Sequence, residues 1–213
     1  MTTATTRLPT PRKLYDNRFA PSPRRVRMFA AEKGLTIPRV EIDLGAGAGQ
    51  QAEFLTINPQ GQVPVLELDD GTRLTESLAI CRYLEALQPE PNLLGRDPLE
   101  AARIESEALR LMFQCYVPTT QAFRHTHRYW ADRLKQVPEY GAQAREQVLE
   151  RWQALDRDLA SREWLTGERF TLADIVAFTT LEFGKPSGIR LQPEQVNLKR
   201  WYEQVASRAS ASA

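Results

Sequence analysis

The chain has 213 residues, of which 42% are hydrophobic and 26% are charged, and its formal net charge is +1. This composition fits a globular protein with one large domain or two small ones. The small net charge argues against nucleic acid or an anionic membrane as a partner, and no apolar run approaches the roughly 20 residues of a membrane-spanning helix. Residues 1–12 are rich in Thr and Pro, and we expect them to form a flexible tail rather than a secretory signal.

Residues 13–88 alternate strand and helix signals. Strands are expected at 13–15, 39–43, 65–68 and 73–74, and helices at 24–33, 51–57 and 77–87. Asp70-Gly71 favours a tight turn that joins the last two strands as a hairpin. The glycines at 45–49 lack the spacing and the Lys-Ser/Thr pair of a phosphate-binding loop, so they indicate an ordinary flexible loop. The order of elements predicts an α/β domain.

Strand signals disappear after a Pro-rich linker at residues 89–97. We expect residues 98–213 to form an all-helical domain, in which Pro118 kinks or interrupts a long helix that begins near Leu99. A later helix has one apolar face, formed by Val148, Trp152, Leu155 and Leu159.

Residues 170–175 have the pattern of a helix start. Thr171 is the expected cap, and Asp174 can accept a hydrogen bond from its backbone N–H. Phe170 and Ile175 stand where a hydrophobic staple closes around such a cap. This segment is therefore predicted to serve folding rather than catalysis.

The two cysteines, Cys81 and Cys115, lie in apolar surroundings and have no metal-binding or redox spacing. We interpret them as buried free thiols, and a reducing cytoplasm is the expected compartment.

The most informative stretch is residues 58–68, followed by Glu76-Ser77. Pro64 cannot donate a ladder hydrogen bond and belongs at the start of a strand, where a cis Val63-Pro64 bond would leave the backbone groups of Val63 available. An extended peptide can pair with such groups as an added strand. Ser77 opens a helix whose first N–H groups favour an anion. Together these features predict a site for a short acidic peptide.

This stretch resembles the glutathione-binding half of the cytosolic glutathione transferases, and the similarity extends from about Lys13 to the end of the chain. The resemblance implies a thioredoxin-like domain at 13–88 followed by a helical domain at 98–213, in a cytoplasmic homodimer. It implies that Val63, beside Pro64, binds the cysteinyl backbone of glutathione and that Glu76 and Ser77 hold its γ-glutamyl end. Gln50 and Gln62 are candidates for its glycyl carboxylate.

The residues expected to activate the glutathione thiol depart from the usual family pattern. Ala20 stands where many members have a catalytic Ser or Cys, and Ala20-Pro21-Ser22-Pro23 resembles an atypical fungal and bacterial subgroup that lacks the usual catalytic Ser, Tyr or Cys. In that subgroup a Ser and a His of the helical domain are thought to hold a water, and those positions fall near Thr120 and His125. Ser22, Tyr15 and His125 are the candidates here.

The resemblance implies conjugation of glutathione to a small hydrophobic electrophile, with glutathione as co-substrate and no metal. The electrophile pocket is expected to include Phe19, Phe113, Tyr116 and Phe123. Two alternatives stay open. The first is a non-enzymatic ligand carrier or assembly module, which the loss of the hydroxyl at Ala20 favours. The second is a glutathione-dependent isomerase, dehalogenase or peroxidase.

Overall fold

A computed structural model describes residues 7–213 of the chain. The chain divides into two compact units, the first ending at Pro91 and also including Ala213, the second spanning Asn92–Ser212. The division falls within the segment 89–97 that the sequence marks as a linker. The first six residues of the expected tail lie outside the described residues.

Within residues 7–91, which the structure describes, the first unit contains four strands and three α-helices. The strands are β1 (Pro11–Asp16), β2 (Arg39–Glu41), β3 (Val65–Leu68) and β4 (Arg73–Leu74). The helices are α1 (Pro21–Glu32), α2 (Ala52–Leu55) and α3 (Ser77–Leu87), with one 3₁₀ turn at Ala48–Gln50. The sheet order is β2-β1-β3-β4, with β2 parallel to β1 and the other two pairings antiparallel. This is the expected thioredoxin-like arrangement.

The first strand begins earlier than the sequence analysis placed it. Pro11 and Arg12, which we assigned to the flexible tail, are part of β1. Thr10 is already fixed to the hairpin, since its backbone N–H donates to Asp69 Oδ1 at 3.1 Å and its hydroxyl donates to Asp69 Oδ2 at 2.7 Å. The Thr- and Pro-rich composition did not indicate a strand here. A proline is nevertheless compatible with the first position of a strand, which is where Pro11 lies.

The second strand differs from its prediction in length and burial. The alternation at 39–43 predicted a half-buried strand, but β2 covers Arg39–Glu41 at the edge of the sheet with all three residues exposed. Ile42, beyond the strand, packs against a buried cluster of Tyr15, Phe54 and Val65. The alternation of polar and apolar residues at 39–43 therefore reflects the contact of Ile42 with the core and does not indicate a buried face of the strand.

Helix α1 also begins earlier than predicted, at Pro21 instead of Arg24. Proline is well suited to the first helical position because its fixed φ matches the helix and its missing N–H has no intrahelical partner there. The prolines at 21 and 23 thus open the helix.

The second unit is helical. Its α-helices are α4 (Pro98–Leu111), α5 (Val117–Thr126), α6 (Pro138–Leu159), α7 (Leu172–Gly184) and α8 (Val196–Ala206). Asp97 caps α4 by accepting from the backbone N–H groups of Leu99 and Glu100 at 2.8 and 2.9 Å. Among the described residues, no helix has both the length and the apolar character needed to cross a membrane.

The interruption expected at Pro118 takes the form of a π-helical segment, Met112–Tyr116, between α4 and α5. The N–H of Val117 bonds to the carbonyl of Met112, five residues back. A proline ring collides with the carbonyl four residues before it in a regular helix, and one wider turn relieves that collision. The chain therefore continues through Pro118 with a local widening.

The apolar face of α6 is buried as predicted, at Val148, Trp152, Leu155 and Leu159. The capping box at the start of α7 is also present, with the Thr171 N–H donating to Asp174 Oδ2 at 2.9 Å. Asp174 has a wider role than a cap, because its Oδ1 accepts from Leu165 N at 3.1 Å and from the indole of Trp201 at 2.8 Å. One buried carboxylate thus connects α7, α8 and the segment before α7.

Candidate functional site

The pairing of the strands brings three segments of the first unit together at one end of the sheet. Tyr15 pairs with Val65 in β1 and β3, so the end of β1, which leads into α1, lies beside the start of β3. Leu66 pairs with Leu74 in β3 and β4, and the same register carries the chain after β4 back toward the residues that precede β3. The beginnings of α1 and α3 and the Val63–Pro64 segment therefore converge.

The Val63–Pro64 peptide bond is cis. Within the part of the chain that the structure describes, neither the N–H nor the C=O of Val63 has a hydrogen-bond partner. The preceding loop is fixed by Asn58, whose side-chain amide donates to the carbonyl of Gln62 at 2.7 Å. Half-buried Val63 thus offers one donor and one acceptor to an extended peptide.

Gln50 and Gln62, the candidates for the glycyl end, are both exposed beside this loop. A Cβ on Gly61 would lie 2.4 Å from the side-chain nitrogen of Gln50, and one on Gly49 would lie 2.5 Å from the carbonyl oxygen of Gly61. Gly61 also has a φ of +65°, which favours glycine. This close approach brings Gln50 against the binding loop, which its sequence position alone did not establish.

Glu76 and Ser77 stand at the start of α3. Glu76, the residue before the helix, has a φ of 63°, and it is the non-glycine residue with positive φ in the described part of the chain. Its side chain is exposed, whereas the side chain of Ser77 is buried at the first helical position. Strained backbone of this kind is concentrated at binding and catalytic sites. The geometry presents a carboxylate and a hydroxyl at the positive end of the helix dipole.

The start of α1 is poor in backbone donors. Ala20 precedes the helix without a side-chain cap, and Pro21 and Pro23 have no N–H to offer. Of the first three helical positions, Ser22 is therefore the one with a backbone N–H, and its side chain adds a hydroxyl at the same end of the helix. Because the two prolines cannot donate, an anion at this end of the helix would interact mainly with Ser22.

Tyr15, the second candidate for thiol activation, is engaged elsewhere. It is 5% exposed, its ring meets Phe54 edge-on at 6.0 Å, and its hydroxyl donates to Glu67 Oε2 at 3.0 Å. Burial acts to raise the pKa of Glu67, but hydrogen bonds from Tyr15 and Lys13 outweigh it and lower that pKa. Glu67 thus stays ionised and holds the Tyr15 hydroxyl in the core.

His125, the third candidate, lies in the second unit near the end of α5. Its Nδ1 accepts a hydrogen bond from the backbone N–H of Val137 at 3.1 Å, and its ring meets Tyr140 edge-on at 5.1 Å. An acceptor at Nδ1 means that the neutral ring carries its proton on Nε2. His125 in this geometry is a hydrogen-bond donor through Nε2 and cannot accept a proton there. Thr120, in the same helix, donates its hydroxyl to the carbonyl of Val117 at 2.7 Å.

Two family models match this sequence. The model of the glutathione S-transferase N-terminal domain matches residues 19–87, and that of the C-terminal domain matches residues 105–209. Glutathione S-transferase 2 of Saccharomyces cerevisiae is 33% identical over 201 residues, which are 92% of this chain and 86% of that protein. The chain belongs to the glutathione S-transferase family.

Other proteins are similar to this transferase over most of its length. A maleylacetoacetate isomerase of Pseudomonas aeruginosa is 32% identical over 181 residues, covering 84% of each chain. A solved structure of a glutathione transferase homologue from Sulfitobacter, with bound glutathione, matches with a TM-score of 0.80 at 27% identity and covers 94% of each chain. The thioredoxin-like and helical domains expected from the resemblance are thus confirmed.

The expected pocket aromatics of the transferase fall into two groups. Phe19 and Phe113 are 76% and 69% exposed, so they are available to a ligand, and Tyr116 is half-buried. Phe123 instead packs against His127 at 4.6 Å and Phe183 at 5.2 Å between ring centroids. Phe123 is therefore part of an aromatic cluster within the second unit.

Both cysteines of the transferase are buried free thiols, as predicted. Burial raises the pKa of Cys81 and the pKa of Cys115 to about 12. Neither is a thiolate at neutral pH, so neither serves as a nucleophile. Any reactive thiolate at a site of this protein therefore has to come from a bound ligand.

Sequence reasoning missed one residue of this region, Arg25. Its guanidinium is fully buried in α1 and donates from Nη1 to Ser77 Oγ at 2.6 Å. The signal was present in the helical period, because Arg25 stands three and four residues before the buried Met28 and Phe29.

Proposed function

We propose that this chain conjugates glutathione to small hydrophobic electrophiles. The observation that carries the proposal is the backbone of Val63, whose N–H and C=O have no partner among the described residues and lie at the same end of the sheet as Ser77. Val63 would pair with the cysteinyl residue, as a strand pairs with a sheet edge. Glu76 and Ser77 would bind the γ-glutamyl end, and Gln50 and Gln62 the glycyl carboxylate.

We assign thiolate stabilisation to Ser22. Its N–H and hydroxyl stand at the positive end of the α1 dipole, where a thiolate is favoured. A hydrogen bond to a charged group contributes about 1.5–3 kcal/mol, and one pKa unit corresponds to about 1.4 kcal/mol. One such donor therefore lowers a thiol pKa by about 1–2 units. With Ala20 in place of a catalytic Ser or Cys, this assignment puts the chain in the subgroup that lacks the usual catalytic residue.

We assign His125 a supporting role as a donor. Because Val137 N–H occupies Nδ1, the Nε2–H of His125 can orient a water or stabilise a developing thiolate, but it does not remove the thiol proton. In this role the imidazole donates a hydrogen bond and is not a general base. Thr120 lies near the position of the serine that, in the atypical subgroup, is thought to hold this water together with the histidine.

A second candidate function is glutathione-dependent isomerisation, which the similarity to the maleylacetoacetate isomerase of Pseudomonas aeruginosa favours. Both reactions begin from the same bound thiolate and differ in the electrophile. An isomerase regenerates glutathione at the end of each turnover, whereas a conjugating enzyme consumes it. We further propose a cytoplasmic homodimer, as family membership suggests.

The experiment combines binding with product analysis. Calorimetric titration with glutathione should give saturable binding, and Glu76→Ala should weaken it about tenfold through loss of an interaction with the charged γ-glutamyl end. Glu146→Ala, which removes an exposed glutamate of α6, is the matched control and should leave affinity unchanged.

Consumption of glutathione with 1-chloro-2,4-dinitrobenzene supports conjugation. Turnover of a maleyl diketo acid without loss of glutathione supports isomerisation, and binding without either turnover supports the carrier.

A further inference from the structure

Arg25 and Ser77 connect two helices directly beneath the proposed glutathione site. Arg25 projects from α1 and Ser77 is the first residue of α3. The guanidinium is 0% exposed and the serine is 5% exposed, and Nη1 donates to Oγ at 2.6 Å. The contact is therefore a short hydrogen bond shielded from solvent.

This bond fixes the direction of the Ser77 hydroxyl. A serine hydroxyl has one hydrogen to donate and two lone pairs to accept with. Arg25 takes one of the lone pairs, because a guanidinium can only donate. The hydroxyl hydrogen is then left for another acceptor, and an anion at the start of α3 is the acceptor that the helix dipole favours.

We propose that Arg25 is a positioning residue that makes this site selective for ligands with a carboxylate at the γ-glutamyl end. It acts through Ser77, because the hydrogen bond from Arg25 leaves the hydroxyl hydrogen of Ser77 for the ligand. This inference rests on the proposed function, because it needs glutathione to bind with that end at the start of α3.

The test compares two ligands that differ in this carboxylate alone. Glutathione and 4-aminobutyryl-cysteinyl-glycine, which lacks it, are titrated into the wild-type protein, Arg25→Met and Arg25→Lys. We expect the wild type to prefer glutathione, and Arg25→Met to lose about tenfold in affinity for glutathione but less than twofold for the analogue. Arg25→Lys keeps a hydrogen-bond donor at this position and should retain part of the preference.

Arg27→Met is the matched control, since Arg27 is a buried arginine of the same helix that donates to Asp16 at 2.6 Å and not to Ser77. It should change both affinities by the same factor. If Arg25→Met does not fold, Arg25→Lys carries the test and should show a smaller preference for glutathione than the wild type. Equal losses for both ligands in the Arg25 variants would overturn the inference while leaving the proposed function intact. Absence of glutathione binding by the wild type would overturn both.

Discussion

The hydroxyl of Tyr15 donates a 3.0 Å hydrogen bond to Oε2 of Glu67, and both side chains are buried. Lys13 and Arg73 lie 3.3 and 3.5 Å from the same carboxylate. The hydroxyl of Tyr15 is thus engaged within the sheet, which favours other groups for the proposed stabilisation of the thiol. A folding role for β1 is thereby separated from the chemistry proposed at the start of α1.

Replacing Tyr15 with Phe tests that separation. The variant loses a hydrogen bond to a charged group, so unfolding should require about 1–2 kcal/mol less free energy in a denaturant titration. Turnover with an aryl halide should stay within twofold of wild type. A large fall in kcat with unchanged stability would instead make Tyr15 the group that activates the thiol.

Asp174→Ala should be the most destabilising single change in the helical unit. It leaves the buried donors of Leu165, Thr171 and Trp201 without their acceptor, and each unsatisfied buried donor costs about 1–3 kcal/mol. We expect a loss of roughly 3–5 kcal/mol in the free energy of unfolding. Glu146→Ala should stay within about 0.5 kcal/mol of wild type.

Glutathione affinity of the folded Asp174→Ala protein should be nearly unchanged, because Asp174 belongs to the helical unit and the proposed contacts lie in the first. A variant that loses affinity while keeping its stability would contradict this assignment of Asp174 to folding.

Glu67→Gln tests the pH dependence of stability. Burial opposes ionisation of Glu67, but hydrogen bonds from Tyr15 and Lys13 prevail, so its pKa in the folded state lies below its ordinary value of 4.5. A lowered folded-state pKa gives stability that is present above the unfolded-state value and is lost as the pH falls through the folded-state value. The stability difference between wild type and Glu67→Gln should therefore be largest near neutral pH and shrink below about pH 4.5. A difference that stays constant down to pH 3 would show that the charge of Glu67 does not contribute.

His125→Asn separates the two roles of that histidine. The asparagine oxygen can still accept from Val137 N–H, but the variant has no Nε2–H to donate. We expect its thermal stability to match wild type while kcat falls about tenfold. His127→Asn is the control, since His127 also accepts a backbone N–H, from Tyr129 at 3.2 Å, and has no proposed part in turnover. Wild-type kcat in His125→Asn would remove His125 from the mechanism.

Much of the fold could be predicted from local signals. The bounds of β3, β4 and α3 agree with the sequence analysis because Pro64, Asp70-Gly71 and Ser77 each mark an element end by backbone chemistry. The capping box at Thr171 and Asp174 is local for the same reason. The π-helical segment before Pro118 was not predicted, since a proline does not determine whether a helix breaks, bends or widens.

The candidate site could be predicted less completely. Val63, Glu76 and Ser77 belong to a contiguous motif and were found through the resemblance. Arg25 was missed because its role depends on the packing of α1 against α3, and a guanidinium bonded to a serine 52 positions along the chain leaves no local pattern. The tautomer of His125 likewise depends on Val137, 12 residues away and beyond the end of α5.

The most direct test of the account is the pKa of the glutathione thiol, followed by thiolate absorbance, free and with saturating protein. We predict a pKa lowered by about 1–2 units on the wild-type protein, with most of that shift lost in Ser22→Ala. Binding of glutathione with an unshifted thiol pKa would contradict the proposed transferase chemistry and make the chain a glutathione carrier.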